Sequence, residues 1–364
     1  MSLNSPNRPL RLLVNLSLIQ QNYKNLCAWT HTPIGAVLKA DAYGLGAPAI
    51  AKALFEVGCR QFFLATLQEA LEIRQVLPTA TLYVLHGCFP GEEPYFLQEN
   101  LIPVLNNPDQ LLAWKKVAVE KEQRLPAIFH FDTGMNRLGF DAHHLPLSIE
   151  AASSFSIAYI MSHLACADDP KNPYNTQQRE RFLTLAQNFP SIPRSLAASE
   201  GIGLGPSYHF DLLRIGIALY GLIPYAPHVR FAIRPQAQII QTRLLKAGET
   251  IGYGQRYTAT GPKRIGVIAM GFADGLHVVG TNRTHVYIGD HIVPTIGRIS
   301  MDLTMIDLSH LPESIAHPMV WVDLFKDNMS HLRLAQESQS GPYEITCRIG
   351  RRYQKIYTDG YEEG

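Results

Sequence analysis

Residues 34–48 read IGAVLKADAYGLGAP, a short apolar run that ends on a lysine and leads into a glycine-containing turn. The run from Ile34 to Leu38 is apolar on both faces, which is typical of a parallel strand covered by helices. Lys39 follows this run directly. If several strand ends converge there, desolvation lowers the pKa of the lysine amine and makes it nucleophilic. A lysine that only reaches solvent from a strand end is the alternative interpretation.

Short apolar runs and amphipathic segments alternate in this way up to about residue 222. Three- and four-residue spacing of apolar side chains predicts helices over 47–58 and 67–78. Apolar runs predict eight strands, over residues 35–40, 61–66, 82–87, 102–107, 127–134, 157–164, 195–199 and 214–221. Eight β/α repeats predict a (β/α)8 TIM-like barrel in an α/β protein, with a doubly wound open sheet as the alternative.

Chemically active residue types at the predicted strand ends favour the barrel over the open sheet. They are Lys39, Asp132, His163 and Ser199. In a barrel the carboxyl ends of all strands face one mouth, so these four side chains would lie around a common site.

The sequence after residue 226 changes to short β-like runs separated by Gly, Pro and Asp turns. This pattern is typical of an all-β domain. We therefore predict two domains, a barrel over residues 1–226 and a β-strand-rich domain over residues 227–364.

Composition excludes several classes of partner. The 364 residues carry a formal net charge of +1, without a basic run or a long apolar stretch, which argues against nucleic acid and membrane partners. The N-terminal sequence lacks the layout of a secretory signal. The five scattered cysteines lack Cys-x-x-Cys spacing, so they indicate reduced thiols and neither a disulfide framework nor a metal site. We expect a cytoplasmic protein.

The stretch VLKADAYGLG over residues 37–46 resembles the lysine signature of the alanine racemases. The resemblance extends over nearly the whole chain. In that family the lysine carries pyridoxal 5'-phosphate, so the resemblance implies that Lys39 binds the cofactor through its aldehyde. It also implies that the hydroxyl of Tyr43 contacts the phosphate group.

Further barrel motifs are similar to those of the same family, namely FDTGMNRLGF (131–140), SHLACADD (162–169), AASEG (197–201) and LLRIGIALYGL (212–222). The resemblance implies that Arg137 lies beside the substrate carboxylate and that His163 packs against the pyridine ring. It places Arg214 at the pyridine nitrogen, where an arginine can only donate and so leaves that nitrogen unprotonated.

The phosphate of the cofactor would be bound by groups that follow the last barrel strands. The resemblance assigns this role to the hydroxyl of Ser199 and to the backbone N–H groups of Gly216 and Ile217. This assignment agrees with the phosphate sites that barrels commonly carry at those loops.

The β-rich half of the chain supplies a second set of residues. GETIGYGQRYTA (248–259) and GRISMDLTMIDL (297–308) resemble family motifs whose tyrosine is the second catalytic base and whose methionine N–H binds the substrate carboxylate. These positions are Tyr253 and Met301. A tyrosine titrates near pH 10, and cations such as His163 and Arg214 would ease its ionisation. The resemblance implies a homodimer with shared active sites.

Four positions depart from the family pattern or leave it open. Phe272 and Val278 stand where a tyrosine and an arginine are usual, which would change the breadth of accepted side chains. His130 replaces a lysine that many relatives carry as a carbamate beside the arginine. Either Arg351 or Tyr353 stands near a phosphate-contacting position.

The predicted activity is the interconversion of L-alanine and D-alanine. A proton must leave one face of Cα and return to the other, and we assign these transfers to Lys39 and Tyr253. The product would supply peptidoglycan precursors or enter D-alanine breakdown. The alternatives are a broad-specificity racemase or decarboxylase of the same fold, and a cofactor-binding protein without turnover.

Overall fold

The computed structural model describes residues 8–223, 226 and 229–360. These residues form two compact units. The first, the barrel unit, comprises Ile19–Ala42 and Ala47–Arg230. The second, the sheet unit, comprises Tyr43–Gly46, Phe231–Gly364 and the N-terminal segment up to Leu18, within the described range. No helix of the described residues is both long and apolar enough to cross a bilayer.

The barrel unit is built on eight parallel strands. In chain order they are Ile34–Val37, Gln61–Leu64, Thr81–Val84, Leu101–Leu105, Leu125–His130, Phe155–Met161, Arg194–Ser195 and Leu213–Ile215. The first seven pair in sequence, and the eighth pairs with the first. A parallel bridge between Ala198 and Arg214 links the two remaining edges, so the sheet closes. The predicted TIM-like barrel is confirmed, and every predicted strand overlaps an observed one.

Helices alternate with these strands, as the periodicity predicts. They span Leu16–Thr30, Ala47–Glu56, Leu67–Val76, Glu93–Gln98, Pro108–Glu120, Leu145–Ala151 and Pro173–Ala186. Side-chain oxygens of Thr66, Asn107 and Asn172 accept backbone N–H groups of the first turns of their helices. These N-caps satisfy donors that a helix cannot satisfy internally. Apolar strand residues such as Phe63 and Ile128 fill the barrel interior.

The sheet unit contains mainly antiparallel strands. They are Leu10–Asn15, Ile233–Leu245, Thr250–Ile251, Tyr257–Thr258, Lys263–Ile268, His285–Ile288, His291–Ile296, Thr304–Asp307, Trp321–Asp323 and Gln354–Thr358. The long strand Ile233–Leu245 pairs with both Lys263–Ile268 and Trp321–Asp323, which closes six strands into a ring. Two short helices, Asn328–Glu337 and Pro342–Cys347, accompany the strands. The predicted β-rich C-terminal half is confirmed.

The N-terminal strand differs from the predicted domain organisation. Leu10–Asn15 pairs antiparallel with Ile233–Leu245 and parallel with Gln354–Thr358, whereas the predicted barrel domain of residues 1–226 included it. The stretch LRLLVN alternates between buried and partly exposed positions along its first four residues, which suits a strand with one covered face. The predicted boundary between residues 226 and 227 touches residues outside the described ranges, so the domain limits stay a prediction.

His331 is a titratable group in the core of the sheet unit. Its ring packs against Phe325, with ring centroids 4.9 Å apart, and its Nε2 donates to the carbonyl oxygen of Pro342 at 2.9 Å. Burial lowers the pKa of His331 from 6.5 to about 4, because a charged imidazole is poorly solvated there. The folded protein therefore holds this histidine in its neutral form.

We expect stability to fall as the pH drops from 6.5 towards 4, since unfolded His331 binds a proton that the folded state excludes. The free energy involved is about 3 kcal/mol. His331→Phe should therefore show a smaller loss of unfolding free energy between pH 7 and pH 4.5 than the wild type, measured by urea denaturation. The exposed His310→Gln serves as the control and should behave as the wild type. An unchanged pH dependence in His331→Phe would contradict this assignment.

Candidate active site

Lys39 lies just beyond the carboxyl end of the first barrel strand. The strand ends at Val37, and the chain then turns through Ala40, Asp41 and Ala42 with φ of 54°, 53° and 53°. Left-handed backbone costs residues with a Cβ roughly 1–2 kcal/mol each, so contacts must hold this turn in place. The turn directs the chain away from the sheet immediately after the lysine. The predicted strand over 35–40 is therefore too long by three residues.

Glu69 provides one of these contacts and was missed by the sequence analysis. Its carboxylate accepts the N–H of Ala40 at 2.8 Å and the N–H of Ala65 at 2.7 Å. It thereby joins the loops that follow the first two strands. The only sequence signal is Thr66 three residues earlier, a capping-box pattern that predicts a purely local role.

We expect Glu69→Gln to loosen the turn beside Lys39, because the two N–H groups bind different carboxylate oxygens and glutamine replaces one of these acceptors by an NH2 donor. Removing charge-assisted hydrogen bonds of this kind should cost about 1–3 kcal/mol of unfolding free energy, measured by urea denaturation. Glu72→Gln, on the exposed face of the same helix, is the matched control. Equal stabilities for the two variants would contradict the role of Glu69.

Arg214 is the most deeply buried cation at the rim of the barrel unit, with 4% of its surface exposed. Its guanidinium donates to Ser195 Oγ and to the carbonyl oxygen of Ser162, both at 2.7 Å, and to the carbonyl oxygen of Leu196 at 3.1 Å. Burial lowers the pKa of Arg214 to about 9, which leaves it charged at neutral pH. The hydrogen-bond acceptors are neutral, so dipoles rather than a counter-charge stabilise it.

His163 is paired with this arginine. Nη2 of Arg214 lies 3.2 Å from His163 Nδ1, and because an arginine only donates, Nδ1 accepts and Nε2 carries the proton. Burial, and then the charges of Arg214 and Arg137, lower the pKa of His163 well below 6.5. The structure thus brings these predicted site residues together. The expectation that His163 acts as a cation is wrong, since it is neutral.

His130, the position that departs from the family pattern, is also neutral. Asn106 donates through its Nδ2 to the carbonyl oxygens of Leu85 and Val104, so its Oδ1 is the acceptor for His130 Nδ1 at 2.7 Å. Burial, with the charges of Arg214 and Arg137, lowers the pKa of His130 to about 3. A buried neutral ring therefore occupies this position.

Arg137 is exposed and follows a tight turn. Asp132 holds this turn, because its Oδ1 accepts the N–H groups of Gly134 and Met135 at 2.8 Å each. The charge of Arg137 acts on both His130 and His163, which places it at the same rim. Its assignment to the substrate carboxylate stays a prediction.

Ser199 and the segment after the last strand form a compact group of donors. Ser199 is buried, and its Oγ accepts the N–H of Gly216 at 3.0 Å and the N–H of Ala218 at 3.4 Å. These two N–H groups therefore converge on the hydroxyl oxygen of Ser199, which ties it to the segment after the last strand. Ala218 was not predicted, and the Ile217 N–H stays a predicted donor. Tyr43, the other predicted phosphate ligand, is half-buried and has φ of 59°.

The sheet unit carries Tyr253 and Met301 on its surface, with exposures of 72% and 55%. Asn282 links their segments, since its Nδ2 donates to the carbonyl oxygen of Arg256 at 2.9 Å and its Oδ1 accepts the N–H of Gly297 at 2.6 Å. Asn282 therefore ties the segment that follows Tyr253 to the segment that precedes Met301 within one unit.

The remaining open positions also lie in the sheet unit. Phe272 and Val278 are exposed by 44% and 36%. Tyr353 is buried, and its hydroxyl donates to the carbonyl oxygen of Asp274 at 3.1 Å. The hydrogen-bond donor of Tyr353 is therefore used within the sheet unit. Of the two residues considered for a phosphate contact, Arg351 is the exposed one.

A lysine, two arginines and a buried serine hydroxyl at the rim of a closed parallel barrel are typical of a barrel enzyme that acts on anionic ligands. Two family models match the chain, "Alanine racemase, N-terminal domain" over residues 14–224 and "Alanine racemase, C-terminal domain" over residues 232–357. The chain therefore belongs to the alanine racemase family.

Individual relatives agree with the family models. The chain is 39% identical to an alanine racemase of Brucella abortus, over 95% of this chain and 93% of the relative. It is 40% identical to one of Rhodospirillum rubrum, over 90% and 89%. The crystal structure of the alanine racemase from Bartonella henselae with covalently bound pyridoxal phosphate has a TM-score of 0.92 at 34% identity, over 97% of this chain and all of that chain.

Proposed function

We propose that this chain interconverts L-alanine and D-alanine with two bases, Lys39 from the barrel unit and Tyr253 from the sheet unit. Membership of the family makes it an isomerase that depends on pyridoxal 5'-phosphate. The observation that carries the proposal is the match of both family models, over residues 14–224 with Lys39 and over residues 232–357 with Tyr253, because each face of Cα needs its own proton carrier.

The donors at the rim of the barrel unit fit the cofactor. The hydroxyl of Ser199, which accepts the N–H groups of Gly216 and Ala218, lies at the loop after the last strand where a phosphate would be bound, and Lys39 supplies an amine that reacts with an aldehyde. Arg214 donates only, so it suits an unprotonated pyridine nitrogen. The chemistry that the cofactor supplies when bound is the withdrawal of electrons from Cα, which makes the hydrogen there acidic.

The protein groups then have separate tasks. The amine of Lys39 removes or returns the Cα proton on one face, and the phenol of Tyr253 does so on the other. Arg137 and the N–H of Met301 hold the substrate carboxylate, which fixes the direction of the Cα–H bond. The neutral ring of His163 offers a flat face to the cofactor without adding positive charge.

Incubation with L-alanine in deuterated water tests the two-base assignment. The wild type should lose optical rotation while deuterium enters Cα. Tyr253→Phe should slow racemisation at least 100-fold but retain Cα exchange for the one enantiomer that Lys39 serves. Tyr257→Phe, on the same hairpin, is the control and should racemise normally.

Other outcomes would overturn the proposal. Equal loss of exchange for both enantiomers in Tyr253→Phe would contradict a base on each face. Release of carbon dioxide would indicate a decarboxylase, and no reaction with any amino acid would indicate a cofactor-binding protein. A series of larger amino acids would measure the effect of Phe272 and Val278 on substrate breadth.

We also infer a homodimer in which Tyr253 and Met301 serve the barrel of the partner subunit. The support is their exposure on a single chain, which a proton-transferring phenol would not have in a finished, water-excluding site.

Mixing two inactive variants tests this arrangement. Lys39→Ala and Tyr253→Phe chains, unfolded and refolded together, should form mixed dimers in which one site keeps both bases. Statistical pairing gives a recovery of about one quarter of wild-type activity. A mixture that remains inactive although size-exclusion chromatography detects dimers would exclude shared sites.

We place the enzyme in the cytoplasm, because its cysteines are reduced, as is typical of that compartment. We also infer that the D-alanine it forms supplies peptidoglycan synthesis. A strain without this chain should then require added D-alanine for growth. If the deletion strain grows without added D-alanine but cannot use D-alanine as its nitrogen source, the role is instead D-alanine breakdown.

A further inference from the structure

Arg352 joins two carboxylates of the sheet unit. Its Nε and Nη2 donate to Asp274 Oδ1 and Oδ2 at 2.8 Å and 2.7 Å, and its Nη1 donates to Asp302 Oδ1 at 2.6 Å. The side chain of Asp274 is completely buried, whereas that of Asp302 is 59% exposed. A bidentate pair with a buried carboxylate fixes the guanidinium plane, so the third arm holds Asp302 in a defined position.

The buried carboxylate belongs to a turn that contacts the Met301 segment. Asp274 Oδ2 accepts the N–H of Gly271 at 2.9 Å, which closes the turn over residues 271–275. The N–H groups of Phe272 and Ala273 then donate to the carbonyl oxygens of Ser300 and Met301 at 2.9 Å and 3.1 Å. The contact is close, since a Cβ on Gly271 would lie 2.4 Å from the Met301 carbonyl.

This pairing determines where the N–H of Met301 points. In a planar trans peptide the carbonyl of Ser300 and the N–H of Met301 point in opposite directions, and no described peptide bond is cis. Because the Ser300 carbonyl points into the 271–275 turn, the Met301 N–H points away from it. No acceptor in the described part of the chain takes up this N–H.

We propose that Arg352 is a positioning residue that presents the Met301 N–H to the substrate carboxylate. It does so by fastening Asp302, and with it the 300–302 segment, to the 271–275 turn through Asp274. Nη2 of Arg352 adds a contact at 3.4 Å to the Met301 carbonyl oxygen. The inference rests on the proposed function, which assigns the Met301 N–H to the substrate carboxylate.

Steady-state kinetic constants distinguish the positioning role of Arg352 from that of an ion pair that only stabilises the fold. The contact between the N–H and the carboxylate exists both before and during proton transfer, so weakening it raises KM and leaves kcat nearly unchanged. A lysine at position 352 keeps the charge beside Asp274 but loses the fork that spans two carboxylates.

Steady-state kinetics and propionate binding to the holoenzyme test the proposal. Arg352→Lys should raise both KM for alanine and the dissociation constant of propionate, a carboxylate without an amine, by about tenfold, with kcat within about twofold. Asp302→Asn leaves the buried pair intact and should change both constants in the same direction by about threefold. The control is Arg348→Lys, whose exposed ion pair with Glu344 joins the helix Pro342–Cys347 to the residue after its last turn, and both constants should be unchanged.

The outcomes separate this inference from the proposed function. A wild type that racemises alanine and binds propionate, beside an Arg352→Lys variant with unchanged constants, would overturn the inference alone. A fall in kcat with unchanged KM would overturn it as well. If Arg352→Lys does not fold, Asp302→Asn decides by the same criteria. A wild type that neither racemises alanine nor binds propionate would overturn the proposed function together with the inference.

Discussion

The buried guanidinium of Arg214 is the constraint on which the rim of the barrel unit depends. Its backbone forms the bridge with Ala198 that closes the sheet, and its side chain donates to Ser195 at the end of one strand and to Ser162 just beyond another. Since the neighbouring acceptors are neutral, its charge is not cancelled locally. That charge contributes to keeping His163 and His130 unprotonated. A rim of fixed cations and neutral rings suits a ligand with a phosphate and a carboxylate.

The barrel could be predicted from the sequence, because strands that are apolar on both faces alternate with amphipathic helices at a regular spacing. It was less accurate at the strand ends. The predicted strand over 35–40 ends at Val37 because Ala40, Asp41 and Ala42 adopt left-handed backbone. Glycine favours such a turn, but none of these three residues is glycine. Local conformational propensity therefore does not predict the turn. Its stability comes from contacts outside the segment.

The contacts that complete the site were beyond sequence reasoning for the same reason. Glu69 binds the N–H of Ala40 from 29 positions away, and Arg352 binds Asp274 from 78 positions away. In the sequence, Glu69 is explained by a local helix cap and Arg352 by a solvated surface charge. Motif resemblance identified the groups assigned to chemistry, but the groups that position them have no spacing that predicts their partners.

The division of labour between the units follows from these contacts. Ser199 and Arg214 belong to the barrel unit, whereas Asn282 joins the segment after Tyr253 to the segment before Met301 in the sheet unit. Phe272 and Val278 lie in this same unit, and the N–H of Phe272 binds the Ser300 carbonyl directly. The backbone of Phe272 therefore contacts the segment that carries Met301, and its exposed side chain is the part that a substitution changes. Substrate breadth can thus change through the sheet unit while the phosphate-type donors around Ser199 stay as they are, because those donors are held entirely by contacts of the barrel unit.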